Sequence, residues 1–255
     1  MGELVEGMAT LSLSLSLSLS LSLSLSLSLC GLRRGTAQLD RRPAVGAHLD
    51  LAGAESRRAG GGEAEEEARV IPVITELAKL GTPLSIDTMR ASIAEKAIEL
   101  GVHYVNDVSG GQADEKMYSL IARHPKVQYV IMHWRSHSKT MQEHAHYKDV
   151  VTEVRDELQE RIDSAIEAGI DPEQIIIDPG LGFAKLPEHN WELLRNIDRL
   201  ALLGYPLLIG ASRKRFLGEL TGETNPDNRE AASIAITTLV ARQSVWGVRT
   251  HSVKP

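Results

Sequence analysis

Polar side chains recur where short aliphatic runs of this sequence end. Asp87 closes "LSID", Asn106 and Asp107 close "HYVND", and Asp178 closes "IIID". A carboxylate accepts two parallel N–H bonds, and an amide oxygen accepts such bonds as well. Asp87, Asn106 and Asp178 together therefore predict a site for a flat heterocycle that presents several N–H groups.

A second polar set follows the last two aliphatic runs. The segment "LLIGASRKRF" contains Ser212, Arg213 and Lys214, and "VWGVRTH" contains Arg249 and His251. Cationic and hydroxyl groups after the last strands are typical of phosphate sites in barrel folds. A helix-cap role would explain a single Asp, but it does not explain Asn, Lys and Arg as well. The two sets predict a two-part ligand, an amino-heterocycle with an anionic end.

The elements that must position these residues alternate along the chain. We expect strands near residues 47–52, 84–87, 103–106, 127–132, 174–177, 206–210 and 245–249. We expect helices near residues 63–80, 90–100, 114–123, 147–168, 189–203 and 228–243. Glycines follow several helical runs, where a left-handed cap residue is favoured: Gly81, Gly101, Gly169 and Gly204.

This order of elements, which has no hairpin signal, predicts an α/β fold with a parallel sheet. We expect a TIM (β/α)8-type barrel that is incomplete, because only about seven parallel strands are recognisable. A doubly wound sheet is the alternative fold. No G-x-G-x-x-G follows a strand, which argues against its nucleotide-binding form.

The composition narrows the classes of function. The chain has 255 residues, is 42% hydrophobic and carries a net charge of −6, which suits one soluble domain of the larger kind. The mild acidity argues against nucleic acid as a partner. The single cysteine, Cys30, excludes a disulfide framework and fits a reducing compartment. We therefore expect no nucleic-acid partner, no membrane partner, and a cytoplasmic location, or an organelle matrix in a eukaryote.

The N-terminal segment differs from the rest of the chain. Residues 11–29 are a strict Leu-Ser repeat. Three interpretations stay open: a membrane span or signal, a low-complexity tract without a packed role, and translated CT-repeat DNA. Glu3 and Glu6 precede the repeat without a basic residue, contrary to a signal peptide. We expect residues 1–43 to be a disordered repeat and linker, and residues 44–255 to form the barrel domain.

Six segments between about Val70 and Val253 form a series. They are "SIDTMRASIAEKA", "VNDVSGG", "VIMHWRSHSKTMQ", "DPGLGFAK" with "HNWELL", "GASRKRFLG" and "WGVRTH". In this order and spacing they resemble the dihydropteroate synthase family. That family condenses 6-hydroxymethyl-7,8-dihydropterin diphosphate with p-aminobenzoate to 7,8-dihydropteroate and pyrophosphate in folate biosynthesis. The resemblance implies a pterin-binding barrel, Mg²⁺ as cofactor, and a homodimer.

The resemblance also implies roles for particular residues. One group would hold or surround the pterin ring: Asp87, Asn106, Met132, Asp178, Gly182, Phe183 and Lys214. Arg213, Arg249 and His251 would face the diphosphate or the aminobenzoate, and Ser212 would lie by the aminobenzoate carboxylate. Arg58 would also bind substrate. Catalytic roles would fall to Asp87, Lys214 and Arg249, which would stabilise charge as pyrophosphate leaves.

The sequence departs from the family near its N-terminus. It has no segment of the form N-V-T-P-D-S-F-S-D-G-G, whose Asn is the family's usual protein contact to magnesium, and "GAESRRAG" stands where the family has G-G-E-S-T-R-P-G. We expect a barrel without the first strand and loop and without the last helix. Pterin recognition is then expected to survive better than catalysis.

Two alternative functions accompany the synthase. One is a non-catalytic, truncated pseudoenzyme that binds pterin. The other is a pterin-dependent corrinoid methyltransferase, which shares the barrel and the acceptors at the strand ends. The segments "SRKRF" and "RTH" favour the synthase, because they belong to its anion-binding side.

Overall fold

The computed structural model describes residues 24–27, 47–50, 62–137, 140–243 and 245–251. Its strands are β1 Ser24–Leu27, β2 Ala47–Asp50, β3 Ser85–Asp87, β4 Tyr104–Asp107, β5 Gln128–Met132, β6 Ile175–Asp178, β7 Leu208–Ile209 and β8 Gly247–Val248. Its α-helices are α1 Glu63–Ala78, α2 Ala91–Glu99, α3 Met117–Ala122, α4 Val150–Glu167, α5 Pro187–Arg195, α6 Ile197–Ala201, α7 Arg215–Thr221 and α8 Glu230–Val240. Short 3-10 helices span Met141–His144, Pro172–Gln174 and Pro226–Arg229.

The sheet is parallel from β3 onward. Strands β3, β4, β5 and β6 are hydrogen-bonded neighbours in that order, and β7 pairs with β8. A parallel bridge between Ile177 and Leu207 joins β6 to the start of β7. Helices separate successive strands, which is the architecture of a TIM barrel. Among the strands that the structure describes, no ladder closes the ring, and the predicted incomplete barrel is confirmed.

Two elements were not predicted from the sequence. Strand β1 lies inside the Leu-Ser repeat and pairs antiparallel with β2. The alternation of the repeat has the strand period, although the sequence shows no hairpin signal. Helix α7 begins directly after the "SRK" segment and ends at Thr221, where Gly222 caps it with a φ of +76°. Apart from 24–27, the predicted disordered segment 1–43 lies outside the described residues.

The predicted helices occur, with shorter ends and one division. The predicted helix 189–203 is two helices, α5 and α6, which meet at Asn196. Helix α4 begins where Asp149 accepts hydrogen bonds from the backbone N–H groups of Val151 and Thr152. The four glycines expected to follow helices all have positive φ. Within the described residues, no helix combines the length and the apolar character that a bilayer span needs.

The inner face of the sheet is layered, because side chains alternate along a strand. A buried cluster forms one layer and packs against Trp246: Tyr104, Val130, Ile176 and Leu208. Two positions further along the same chain segments, and therefore on the same face, come Asn106, Met132, Asp178 and Gly210. The polar residues predicted from the sequence thus lie in the layer next to this buried apolar cluster.

Candidate active site

Asp87 and Asn106 stand side by side at the ends of β3 and β4, where they are register partners. The Asn106 Nδ2 donates to Asp87 Oδ2 at 2.9 Å. The Asn106 Oδ1 is buried and has no hydrogen-bond donor within the described part of the chain. Buried acceptors in folded proteins normally have a donor. This oxygen is therefore available to an N–H group of a ligand.

Asp178 is 1% exposed and is held from two sides. Its Oδ1 accepts from the Gly180 N–H at 2.8 Å, and its Oδ2 accepts from Arg249 Nη2 at 2.9 Å. A Cβ at Gly210 would lie 2.6 Å from Arg249 Nη2. Glycine at this position of the inner layer makes room for the arginine. The ion pair links the two polar sets that the sequence predicts separately.

Lys214 and Phe183 form the next contact. The Lys214 Nζ lies 4.0 Å from the centroid of the Phe183 ring, a cation–π geometry. Gly182 has a φ of +78°, and a Cβ there would lie 3.0 Å from Lys214 Cδ. The turn after β6 therefore presents an aromatic face with a cation above it.

In the segment after β7, the neighbouring side chains of Ser212 and Arg213 make contacts in different places. The Ser212 Oγ is buried and accepts from the His251 backbone N–H at 3.2 Å. The Arg213 guanidinium lies 2.7 Å from Asp227 and 3.5 Å from Glu230, at the start of α8. The described contacts of the Arg213 side chain thus lie on the 3-10 helix Pro226–Arg229 and at the start of α8 rather than at the Asp178–Arg249 pair.

The predicted site residues divide into three groups. The structure brings most of them to the carboxyl ends of the strands: Asp87, Asn106, Met132, Asp178, Gly182, Phe183, Lys214, Ser212, Arg249 and His251. Arg213 adjoins them in sequence, but its guanidinium contacts carboxylates elsewhere. Arg58 lies outside the described residues.

Asp107 supports the site from the opposite face of β4. Its buried carboxylate accepts from the Ser109 N–H at 2.8 Å, the Ser109 hydroxyl at 2.6 Å, the Gly111 N–H at 2.9 Å and the Tyr129 hydroxyl at 2.9 Å. Burial raises the pKa of Asp107, while the bonds from Ser109, Tyr129 and Gly111 act in the opposite direction. These bonds fix the loop that follows Asn106.

A buried polar network lies behind the turn after β6. Lys185 is 2% exposed, and its Nζ lies 2.9 Å from His133 Nδ1. The His133 Nε2 lies 3.0 Å from Glu157 Oε2 on α4. Arg135 Nε lies 3.1 Å from Glu157 Oε1. We call Arg135, Glu157, His133 and Lys185 the lysine network.

Sequence reasoning assigned no site role to the members of the lysine network. His133 follows β5 and makes a hydrogen bond to Glu157, the contact of a structural residue at a strand end. Lys185 gave no signal, because lysine is mostly exposed and nothing in "GFAK" indicates burial. The closely spaced glycines before it were the one sequence feature that could have pointed to a fixed turn.

The described residues do not form a magnesium site. No cluster of three His, Cys, Asp or Glu side chains with suitable geometry occurs in the described ranges. The Asp178 carboxylate is engaged by Gly180 and Arg249, and Asp107 is engaged by four donors. Mg²⁺ requires near-octahedral oxygen ligands. The described residues therefore do not supply the ligand set that this ion needs.

Comparisons with known proteins agree with this geometry. The family model described as pterin binding enzyme matches residues 33–251. Dihydropteroate synthase of Mycobacterium leprae (strain TN) is 46% identical over 220 residues, which cover 83% of this chain and 77% of that protein. The chain belongs to the pterin-binding enzyme family.

Solved structures give the same grouping. Dihydropteroate synthase from Thermus thermophilus in complex with 4-aminobenzoate has a TM-score of 0.74 at 38% identity, covering 89% of this chain and 94% of that one. The Xanthomonas albilineans enzyme in complex with 7,8-dihydropteroate has a TM-score of 0.70 at 39% identity, covering 81% and 73%. The resemblance to dihydropteroate synthases is confirmed.

Proposed function

We propose that this chain is a dihydropteroate synthase. It condenses 6-hydroxymethyl-7,8-dihydropterin diphosphate with p-aminobenzoate, and it releases 7,8-dihydropteroate and pyrophosphate. The C–O bond to the diphosphate breaks, a C–N bond to the amine forms, and the amine loses a proton. The relatives of this name support the reaction, and two of their structures hold 4-aminobenzoate and 7,8-dihydropteroate.

The observation that carries the proposal is the row of acceptors on the inner layer. Asp87 and Asn106 are hydrogen-bonded neighbours, and the buried Asn106 Oδ1 accepts no bond from the described residues. Asp178 lies in the same layer, beside Met132 in the register of the sheet. A pterin edge with amino and ring N–H groups is complementary to these oxygens.

The cations next to the acceptors supply the electrostatics of the reaction. Arg249 lies against Asp178, and Lys214 lies over the Phe183 ring. We assign Lys214 and Arg249 to the negative charge that develops as the C–O bond breaks. Asp87 stabilises the positive charge that spreads over the pterin. Preorganised groups of this kind act without the reorganisation that water would need.

The alternatives predict different behaviour of the same site. We call Asp87, Asn106 and Asp178 the acceptor layer. A non-catalytic pterin binder would bind its ligand at this layer without turnover. A corrinoid methyltransferase would not need the cations that follow β7 and β8. The presence of two cations, Arg249 and Lys214, beside the acceptors favours a ligand with an anionic end.

Calorimetric titration with the dihydropterin diphosphate, beside a turnover assay with p-aminobenzoate, tests the proposal. We expect saturable binding of the diphosphate and release of pyrophosphate that depends on p-aminobenzoate. Binding without pyrophosphate release would favour the non-catalytic binder. Failure of a folded chain to bind the diphosphate would contradict the proposal.

We also propose a homodimer and a cytoplasmic location. Helix α8 has the sequence "EAASIAITTLV", yet its buried residues are Ser233 and Val240. Ile234 is 56% exposed and Leu239 is 58% exposed. A helix that is apolar around most of its circumference is normally covered, and a second copy of the chain would cover it. Cell fractionation with an antibody tests the location.

A further inference from the structure

Lys185 is a buried cation that the proposed reaction does not use. Its Nζ contacts three groups that accept hydrogen bonds: His133 Nδ1 at 2.9 Å, the Gly180 carbonyl at 3.1 Å and the Phe183 carbonyl at 3.1 Å. An ammonium group has three N–H donors and no acceptor. The three contacts match a protonated lysine, whereas a neutral amine would leave one acceptor without a donor.

The contacts of His133 determine which ring nitrogen accepts from Lys185. The His133 Nε2 faces Glu157 Oε2 at 3.0 Å, and an ionised carboxylate only accepts. Nε2 therefore carries the proton, and Nδ1 presents its lone pair to Lys185. Burial, followed by the charge of Lys185, lowers the pKa of His133 to about 3, which keeps the ring neutral.

Glu157 is fixed in turn. Burial acts to raise its pKa, but hydrogen bonds from His133 and Arg135 lower it to about 2. Arg135 also contacts Glu153 at 2.8 Å, and its guanidinium carbon lies 3.8 Å from the centroid of the Tyr147 ring. The position of the Lys185 Nζ is thus determined by a helix and a strand end that both lie outside the turn it contacts.

The turn that Lys185 contacts has an unusual backbone. Gly180, Gly182 and Ala184 have φ values of +65°, +78° and +48°. A left-handed conformation costs a non-glycine residue about 1–2 kcal/mol, so surrounding contacts must enforce it at Ala184. Asp178 holds the Gly180 N–H, and Lys185 holds the Gly180 carbonyl.

We propose that Lys185 is a positioning residue of the pterin site, whose ammonium group fixes the 179–185 turn so that Asp178 and Phe183 face the ligand. The inference rests on the proposed function for the identity of the ligand. The fixed turn itself does not depend on turnover. Lys185 acts through Asp178 and Phe183 and does not contact the reacting atoms.

The contacts between Lys185 and the 179–185 turn depend on pH. Burial lowers the pKa of Lys185 to about 7, and the charge of Asp178 acts in the opposite direction. Arg135, Glu157 and Lys214 also act on its pKa, the charge of Lys185 acts on the pKa of His189, and His133 stays neutral. As the pH rises through this value the ammonium loses a proton and one acceptor loses its donor. We expect the turn to loosen and pterin affinity to fall above about pH 7.

The experiment compares Lys185→Met and Lys185→Arg with wild type, and uses Lys126→Met at an exposed lysine as control. Amide hydrogen exchange of residues 180–185 measures how firmly the turn is held and does not require catalytic activity. Titration with the dihydropterin diphosphate between about pH 6 and about pH 9 measures how the affinity of the site depends on pH. For Lys185→Met we expect exchange about tenfold faster, affinity about tenfold weaker, and no fall in affinity as the pH rises above about 7. In Lys185→Arg, which keeps the positive charge, the exchange rate and the affinity should lie between those of wild type and Lys185→Met.

Unchanged exchange in Lys185→Met would overturn the inference. If that variant does not fold, the wild-type chain alone tests the inference. Its amide hydrogen exchange at residues 180–185, corrected for intrinsic pH effects, must become faster above about pH 7. A flat profile would also overturn the inference. A wild-type chain that binds no pterin would contradict the proposed function instead, and hydrogen exchange would still decide the role of Lys185.

Discussion

At the residue scale, Asp178 is the centre of the candidate site. It combines near-complete burial with a charge, and burial of an ion is costly unless a partner and hydrogen bonds compensate it. Arg249 and the Gly180 N–H supply that compensation. The same two contacts fix the direction of the carboxylate. Stability and ligand recognition therefore depend on the same atoms.

Replacing Asp178 with Asn should reduce both properties. The amide keeps an oxygen for Gly180 but removes the negative charge that Arg249 Nη2 contacts at 2.9 Å, a change that costs about 3 kcal/mol in comparable buried pairs. We expect urea unfolding to show this loss and calorimetry to show pterin affinity reduced about tenfold. The control, Asp163→Asn at an exposed position of α4, should stay within about 0.5 kcal/mol of wild type. Equal stability of the two variants would contradict the prediction.

Residue types at strand ends were sufficient to predict the acceptor layer. Asp87, Asn106 and Asp178 follow apolar runs whose carboxyl ends meet at one edge of a parallel sheet. The Asp178–Arg249 pair was not predictable, because it depends on the distance between two strands far apart in sequence. Burial of Lys185 was not predictable either, since composition favours exposure of lysine.

At the element scale, the turn after β6 is determined by close packing as much as by hydrogen bonds. Gly180 has a φ of +65°, and a Cβ there would collide with the His133 carbonyl oxygen at the end of β5. Gly81 offers a matched position, since its φ is +67° and nothing lies within 4 Å of its Cβ position. The two glycines share a backbone conformation and differ in the surrounding space.

Substitution by alanine should separate strain from collision. Gly81→Ala is expected to cost about 1 kcal/mol, the effect of left-handed backbone alone. Gly180→Ala is expected to cost about 3 kcal/mol, because steric overlap is added to the strain. Urea unfolding measures both. Pterin affinity should fall only in Gly180→Ala, and the prediction is wrong if both variants lose equal stability.

The lysine network also predicts acid sensitivity. His133 has its pKa lowered from 6.5 to about 3, so the unfolded chain binds more protons between these values. Stability contributed by this group is complete above about pH 6.5 and is lost as the pH falls toward about 3. Glu157, with its pKa lowered from 4.5 to about 2, adds a loss below about pH 4.5.

Chemical unfolding of wild type and His133→Gln over a pH series measures this contribution. The difference between the two free energies of unfolding should shrink as the pH falls from about 6.5 to about 4.5. That interval lies above the range of Glu157, so the change belongs to the histidine. A difference that stays constant over this interval would exclude a neutral buried His133.

Element types were predictable where periodicity and capping agree. The boundaries of α4 follow from Asp149 at its start and Gly169 after its end. The division of the helix predicted at 189–203 was not predictable, because the apolar period continues through Asn196 while the backbone there leaves the helical region. Helix α7 was missed because its first turn follows a segment whose charges indicate a binding loop.

At the scale of the whole molecule, helix α8 exposes apolar side chains that an apolar helix would normally bury. Its apolar residues Ile234 and Leu239 are more than half exposed, and Leu220 of α7 is 69% exposed. Exposed apolar groups of this kind mark contact surfaces. They are the structural support for the homodimer proposed above.

Ile234→Glu should weaken that dimer. A charge in an apolar interface must be desolvated when the copies associate, which costs several kcal/mol. We expect wild type to sediment as a dimer and Ile234→Glu as a monomer with unchanged secondary structure. The control Ile166→Glu, on α4, should remain a dimer. A wild-type chain that sediments as a monomer at all concentrations would contradict the proposed assembly.

The link between Asp178 and Arg249 has a consequence for protein synthesis. The two residues are 71 positions apart. A ribosome adds about 5–20 residues per second, so the aspartate is made roughly 4–14 s before the arginine that balances it. During this interval the nascent chain has its acceptor layer without the balancing cation. The ion pair that joins the two polar sets of the site is therefore among the last of its contacts to form during synthesis.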